Sequence, residues 1–332
     1  MGMYEAIKNF PKQFEFEPKI ENEENLQRRE KFLMVGMGGS ALPADLARAW
    51  NPSIDIIVHK NYGLPAQAGL PPVSVSKTEL RERSVIIISY SGNTEEALDA
   101  YHEAKEKGCS LGAISVGGKL LAAARKDGTP YIQLPDTGIQ PRSALGFSFK
   151  ALLTMMGVEE EVQKEISALA HSLDPAAAEE EGKALASRLR GFVPVIYSST
   201  ENSAIAYNWK IKFNETGKVP AFYNVFPELN HNEMTGFDAD DATRSLSEKF
   251  YFLILKDTTD HPQIVKRAGA LADIYRDRKL HVETLDLDGS GFFLKTFRSL
   301  LLADWTAYFL GESYGVETEQ VPMVEEFKKL IA

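Results

Sequence analysis

The sequence predicts an α/β protein of two domains, each a mostly parallel β-sheet flanked by helices. Short continuous apolar runs alternate with amphipathic stretches of helical length, a pattern typical of parallel strands buried on both faces. At 332 residues the chain is long for one domain and suits two. The order of strand, hydroxyl-bearing turn and helix recurs in both halves, which favours a duplication. We predict a first domain at 1–155, a helical connection at 156–190 and a second domain at 191–332.

The composition excludes several classes of protein. Hydrophobic residues make up 44% and charged residues 25%, which rules out a disordered or fibrous chain. The net charge of −10 argues against nucleic-acid binding, which needs a basic surface. A single cysteine, Cys109, excludes an internal disulfide framework and any zinc site built from several cysteines. Without a signal peptide or a bilayer-spanning apolar run, we expect a soluble cytoplasmic protein with no membrane partner.

Five apolar runs follow a charged, weakly apolar beginning in the first half. Two short helices are expected before them, at 4–10 and 24–29. The predicted strands are 32–35, 54–58, 85–89, 111–116 and 131–134. The helices predicted between them are 41–50, 94–107 and 120–126. A loop rich in Pro and Gly follows the second strand and runs to Pro72.

The second half repeats this order after Glu-rich and Ala-rich helices at 159–190. Its predicted strands are 192–197, 250–255 and 281–287, and its predicted helices are 203–213, 262–278 and 295–310. The turn after the strand at 250–255 contains two aspartates, Asp257 and Asp260, which would repel a phosphate. We therefore expect one anionic ligand per chain, held by the first domain and completed by the second.

Two turns of the first half concentrate glycines and hydroxyls where a strand is followed by a helix: Gly36–Ser40 and Ser89–Thr94. The first N–H groups of a helix lack internal partners, so a phosphate placed there satisfies them. Glycine lets the backbone approach the ligand closely, and hydroxyls donate to phosphate oxygens. One such turn is more readily explained as an ordinary helix cap. Two turns on neighbouring strands favour a phosphate site.

The first turn also fits a dinucleotide fingerprint. Gly36, Gly38 and Ala41 match G-x-G-x-x-A, a pattern that expects an acidic residue at the end of the second strand to hold a ribose. His59 and Lys60 stand there instead, and a basic residue at that place suits NADP. An NADP-dependent oxidoreductase therefore remains an alternative, although the Ser-rich second turn has no place in that scheme.

Several segments resemble one superfamily of sugar-phosphate proteins. Phe32–Leu42 (FLMVGMGGSAL), Ile86–Leu98 (IIISYSGNTEEAL) and Pro141–Phe147 (PRSALGF) resemble the sugar isomerase (SIS) domain. Pro227–Phe237 (PELNHNEMTGF) and the terminal Lys328 are more specific, and with them most of the chain resembles the bifunctional phosphoglucose/phosphomannose isomerases. This resemblance implies two SIS-type domains of the flavodoxin-like, three-layer kind.

The resemblance further implies isomerisation of glucose 6-phosphate to fructose 6-phosphate, and also of mannose 6-phosphate, with no cofactor and no metal. The phosphate contacts carried over by motif are Gly39, Ser40, Ser89, Ser91 and Thr94. Glu215 would move a proton between C1 and C2, and Arg142 would face the enediolate oxygens. His231 and Lys328 would act on the ring oxygen and O5. The resemblance also implies a homodimer in which His231 reaches the neighbouring active site.

Each catalytic assignment has a plainer interpretation from the residues alone. Glu215 is otherwise a solvated carboxylate near a helix end, and His231 an exposed loop histidine. Arg142 is equally well explained by a structural salt bridge, and Lys328 with Lys329 by favourable charge at a helix C-terminus. A sugar-phosphate-binding SIS protein without catalytic activity is therefore a second alternative.

The required chemistry fits the candidate residues. Aldose–ketose exchange needs a base that reaches C1 and C2, positive charge near the enediolate and an acid–base group at the ring oxygen. The sequence contains no HExxH motif, cysteine cluster or close histidine pair, so a metal-free mechanism fits. Val321, before Pro322, stands where family members often carry a small hydroxyl residue, with Thr318 nearby. This departure bears on the mannose activity.

Overall fold

The structure, a computed structural model, describes residues 2–65 and 80–331. It contains two parallel β-sheets. The chain divides into two units, one comprising Asn9–Ser172 and the other Gly2–Lys8 together with the chain from Leu173 onward. The division falls inside the stretch predicted as a helical connection. The α/β class with a parallel sheet and flanking helices in each half is confirmed.

The first unit contains a five-stranded sheet. Its strands are β1 (Lys31–Val35), β2 (Asp55–His59), β3 (Arg83–Ile88), β4 (Ser110–Ser115) and β5 (Tyr131–Gln133), in the order β2-β1-β3-β4-β5. All pairs are parallel, and every residue of β3 is buried, as expected for a strand covered on both faces. Among the described residues, its helices of 8 residues or more are α2 (Leu42–Trp50), α3 (Glu95–Glu106), α4 (Gly118–Asp127), α5 (Leu145–Met156) and α6 (Glu160–Ser167). The short α7 (Leu169–Ser172) closes the unit.

The second unit contains a four-stranded sheet. Its strands are β6 (Val193–Ser199), β7 (Phe222–Phe226), β8 (Phe250–Lys256) and β9 (His281–Asp286), in the order β7-β6-β8-β9. Its helices are α1 (Met3–Lys8), α8 (Pro175–Leu189), α9 (Ser203–Glu215), α10 (Arg244–Ser247), α11 (Pro262–Asp277), α12 (Gly291–Tyr314) and α13 (Pro322–Ile331). Within residues 2–65 and 80–331, no helix is both long and apolar enough to cross a membrane.

The two sheets share one strand order, which matches the predicted duplication. β1 and β3 lie side by side in the first unit, with β2 outside β1, and β6, β8 and β7 repeat this arrangement. The chain therefore leaves β1 and β3 in opposite directions along the sheet, and the crevice at their carboxyl ends is where open α/β sheets bind ligands. The turns Gly36–Ser40 and Ser89–Thr94 follow these two strands.

Some elements differ from the prediction. β7 was not predicted, because it is a short edge strand whose first residues, Phe222 and Tyr223, are exposed and give no alternation. The helix expected at 24–29 is only a 3-10 turn, Glu23–Asn25, followed by extended Leu26. The last part of the loop predicted to run to Pro72 lies outside the described residues.

Candidate active site

A direct hydrogen bond joins the two hydroxyl-rich turns of the first unit. The Tyr90 backbone N–H donates to Ser40 Oγ at 3.1 Å. A Cβ on Gly36 would come within 2.9 Å of the Ile88 carbonyl oxygen, so glycine lets the first turn lie against the end of β3. The two turns therefore meet at one edge of the sheet, as predicted from their positions after neighbouring strands.

The second turn leaves the start of α3 open to an external acceptor. Ser89 Oγ donates to Thr94 Oγ1 at 2.9 Å, and the Thr94 N–H donates to Ser89 Oγ at 3.4 Å. Thr94 is the N-cap residue, but its hydroxyl makes no capping bond within the described part of the chain. Ser91 is exposed, and its Oγ accepts only weakly from the Asn93 N–H, at 3.3 Å. The cap explanation therefore fails for Thr94, while a phosphate site remains compatible with this geometry.

Two glycines fix the shape of this turn. Gly92 has φ +69°, and a Cβ there would lie 1.9 Å from the Gly117 carbonyl oxygen. Gly118 has φ +68°, and its Cβ would lie 2.4 Å from the Ser91 carbonyl oxygen. The backbone at Ser91 and Gly92 and the backbone at Gly117 and Gly118 thus lie too close together for a side chain on either glycine. The turn that contains Ser91 is therefore closely packed against the start of α4.

Arg142 lies beside the first turn. It belongs to a 3-10 turn, Pro141–Ser143, and is only 2% exposed. A Cβ on Gly39 would come within 3.0 Å of the Arg142 backbone nitrogen, so this glycine permits the close approach. The structure therefore brings Gly39, Ser40, Ser89, Thr94 and the Arg142 turn together in the first unit.

Sequence reasoning missed a residue that holds the Arg142 turn. Gln13 is 3% exposed, and its Nε2 donates to the Ser143 carbonyl oxygen at 2.6 Å. Its Oε1 accepts from the backbone N–H groups of Gly146, at 3.0 Å, and Phe147, at 3.4 Å, and so caps α5. Gln13 is 130 residues from Ser143 along the chain, and no local pattern reveals this contact.

Glu215 is the half-buried last residue of α9 in the second unit. The helix end predicted before Gly217 is therefore confirmed. A buried ion pair anchors this part of the helix: Lys212 Nζ lies 2.6 Å from Asp304 Oδ1 on α12, and the two side chains are 3% and 6% exposed. Because breaking such a pair leaves a buried charge uncompensated, the pair holds the end of α9 against α12.

His231 is exposed in a 3-10 turn, Glu228–His231, that follows β7. The adjoining segment is held by Glu233, whose carboxylate accepts from the Tyr197 hydroxyl at 2.6 Å and from the Asn224 side-chain amide. Burial, helped by Tyr275 and the Glu233 carboxylate, raises the pKa of Tyr197, so its phenol stays a donor. These bonds connect the PELNHNE segment to the sheet.

Lys328 lies on α13, where its Nζ donates to Glu325 Oε1 at 2.7 Å and its side chain is 63% exposed. Thr318, which the sequence offered as a hydroxyl near the variant Val321, is buried. Its methyl group lies 2.8 Å from where a Cβ on Gly311 would be. Glu215, His231 and Lys328 thus occupy three separate elements of the second unit.

The corresponding turns of the second unit are closed by their own side chains. Asp257 accepts from Lys295 Nζ and, at 3.1 Å, from Asn202 Nδ2, which also donates to Asp260 at 3.2 Å. Burial alone raises the pKa of Asp257, but donors from Lys295, Thr259 and Asn202 outweigh it and hold the pKa below the ordinary value. An internal carboxylate paired with Lys295 therefore lies at the end of β8, and the expectation that this turn would repel a phosphate stays a prediction.

Two further possibilities raised by the sequence are an NADP site near Lys60 and a metal site. Lys60 Nζ lies 2.7 Å from Asp45 Oδ2 on α2, so the basic group at the end of β2 is paired within the protein. Across the described ranges, no three side chains of His, Cys, Asp or Glu gather into a set that could ligate a metal ion.

Comparison with known proteins relates the whole chain to one family. The family model for the bacterial phospho-glucose isomerase C-terminal SIS domain matches residues 178–331. The chain is 34% identical to the bifunctional phosphoglucose/phosphomannose isomerase of Caldicellulosiruptor bescii over 99% of both chains. It is 31% identical to that of Aquifex aeolicus over 98% of this chain and 97% of the relative. The chain belongs to the bifunctional phosphoglucose/phosphomannose isomerase family.

Solved structures share the fold of this chain. The C-terminal domain of glucosamine-fructose-6-phosphate aminotransferase from Francisella tularensis superposes with a TM-score of 0.69. It covers 96% of each chain at 11% identity, a likeness that shows the fold alone. Membership of an isomerase family also removes the support for an NADP-dependent oxidoreductase, which rested on the Gly36–Ala41 turn.

Proposed function

We propose that this isomerase interconverts glucose 6-phosphate and fructose 6-phosphate, and also mannose 6-phosphate and fructose 6-phosphate, without a metal. The observation that carries the proposal is the meeting of two hydroxyl-rich turns and the Arg142 turn at the carboxyl edge of β1 and β3. Such a place suits a phosphate monoester. The named activity of the near-full-length relatives supports the substrate class.

We assign the proton transfer between C1 and C2 to Glu215. In the proposed reaction the phosphate binds to Ser40, Ser89, Ser91 and Thr94, and the carboxylate of Glu215 takes the C2 proton of the aldose. The proton returns to C1, while the hydroxyl proton of O2 passes to O1, so the aldose and the ketose have the same atoms. The guanidinium of Arg142 stabilises the enediolate oxygens that carry charge in between.

Ring opening precedes this step, because hexose phosphates are mostly cyclic. A proton must leave the anomeric hydroxyl and reach the ring oxygen, a transfer suited to an imidazole and an ammonium. We assign it to His231 and Lys328. The exposure of both side chains is compatible with groups that act on a bound ligand. We further propose a homodimer in which His231 serves the neighbouring chain.

An isotope experiment tests the reaction itself. In D₂O, the enzyme is expected to exchange the C2 proton of glucose 6-phosphate for deuterium, because the enediolate reprotonates from a carboxyl group that equilibrates with solvent. The exchange is followed by proton NMR in parallel samples with and without EDTA, and mannose 6-phosphate serves as a second substrate. Binding without exchange would favour the sugar-phosphate-binding alternative, and loss of exchange in EDTA would contradict the metal-free mechanism.

Removing the phosphate hydroxyls should weaken binding more than turnover. The double variant Ser91→Ala and Thr94→Ala is expected to raise KM about tenfold or more with a smaller change in kcat, since a hydrogen bond to a charged group contributes about 1.5–3 kcal/mol. Ser187→Ala, an exposed hydroxyl on α8 that donates to the Lys183 carbonyl, is the control. Steady-state kinetics with glucose 6-phosphate decide, and an unchanged KM would place the phosphate elsewhere.

A further inference from the structure

Lys218, just after α9, has a backbone conformation that is unusual for its residue type. Its φ is +55°, in the left-handed region that a lysine enters only at a cost. Glycine, asparagine and aspartate occupy this region more readily. The surrounding structure can hold a lysine in this conformation, so the contacts of the Lys218 side chain decide whether it has a role.

The ammonium of Lys218 joins two backbone segments. Its Nζ donates to the carbonyl oxygen of Glu215 at 2.5 Å and also to the carbonyl oxygen of Gln320. The first carbonyl is at the end of α9, where helices leave acceptors unsatisfied and where positive charge complements the helix dipole. The second precedes α13 by two residues, and α13 carries Lys328. The Lys218 side chain thus contacts the backbone of Glu215, the proposed base, and the segment that leads to the helix of Lys328.

The backbone around this contact is closely packed. A Cβ on Gly311 of α12 would lie 2.9 Å from the Thr216 carbonyl oxygen and 2.8 Å from Thr318 Cγ2. A Cβ on Gly217 would lie 2.9 Å from the Phe213 carbonyl oxygen. The end of α9, the last turn of α12 and the segment before α13 therefore leave little room for adjustment, and a displacement of one is transmitted to the others.

We propose that Lys218 is a positioning residue that fixes the end of α9 and the start of α13 relative to each other, so that Glu215 and Lys328 hold their places in one active site. The inference rests on the proposed function. Lys218 acts through the two carbonyl groups and has no contact with substrate in this role. A misplacement of about 1 Å in a catalytic group lowers turnover about 10²-fold, so such a tether has a large kinetic effect.

Three substitutions of Lys218 separate positioning from stability. Lys218→Met keeps the bulk but loses the donors, and we expect kcat to fall about 10²-fold with KM changed less than about twofold. Lys218→Gly also relieves the left-handed conformation, so it should lose kcat without a lower melting temperature. Lys218→Arg, which retains charged donors, should recover most of the turnover.

Lys279 provides a matched control. It follows α11 with φ +60° and is exposed, so Lys279→Gly makes the same change of residue type in the same backbone conformation. We expect Lys279→Gly to raise the melting temperature and leave kcat unchanged. Equal loss of activity in Lys279→Gly and Lys218→Gly would overturn the positioning role.

Hydrogen exchange tests the tether without reference to activity. In Lys218→Met the amides of 323–331 should exchange severalfold faster than in the wild type, while those of β8 stay unchanged. Unchanged exchange, or full turnover in Lys218→Met, contradicts this inference. Failure of the proposed function looks different, because then the wild-type enzyme itself would not exchange the C2 proton.

Discussion

Glu215→Gln should lower kcat by about 10³-fold or more while leaving KM within about threefold, because a carboxamide keeps the shape but cannot accept the proton. The loss should appear equally in the coupled assay and in deuterium exchange at C2, since both depend on the same abstraction. Fructose 6-phosphate should still raise the melting temperature of the variant, as a ligand that binds only the native state does.

Glu312→Gln is the matched control for this substitution. Glu312 is exposed and lies near the end of α12. Its substitution removes the same charge at another helix end of the second unit. Its kcat should equal that of the wild type. Near-normal turnover in Glu215→Gln would assign proton transfer to a different carboxylate and leave the phosphate site intact.

The parts of the site that sequence predicted are local. Gly36–Ser40 and Ser89–Thr94 could be identified because a buried run, a glycine or serine turn and an amphipathic helix follow one another within a few residues. Their meeting followed from topology, since the carboxyl ends of adjacent parallel strands share an edge. The helix end at Glu215 was predictable from Gly217 for the same local reason.

The parts that sequence could not predict depend on contacts between distant residues. Gln13 binds the turn that contains Arg142, although it lies 130 residues earlier in the sequence. Its neighbours in the sequence do not indicate that its side chain is buried. Lys218 gains its role only when Gln320, 102 residues later, arrives beside α9. The pairing of Asp257 with Lys295 was equally hidden.

The strongest test of the proposed homodimer is complementation between two inactive variants, Glu215→Gln and His231→Ala. If His231 serves the neighbouring chain, a mixed dimer contains one site with both groups intact and one site with neither. Random mixing of equal amounts should then restore about a quarter of wild-type activity, because half of the dimers are mixed and each has one complete site. Differently tagged chains, expressed together and purified through both tags, give the mixed dimer directly.

The activity of the mixed dimer shows whether His231 serves the neighbouring chain or its own chain, because the two substitutions fall in one site in the first case and in separate sites in the second. If His231 serves its own chain, each site of a mixed dimer lacks one group, and the mixture is no more active than the average of its components. A dimer with complementation fixes both the assembly and the route of the histidine, whereas a monomer by light scattering would exclude them. Adding Lys328→Ala to one chain at a time then shows which chain supplies Lys328 to the complete site. The restored activity is kept when the altered chain does not supply this lysine and is lost when it does.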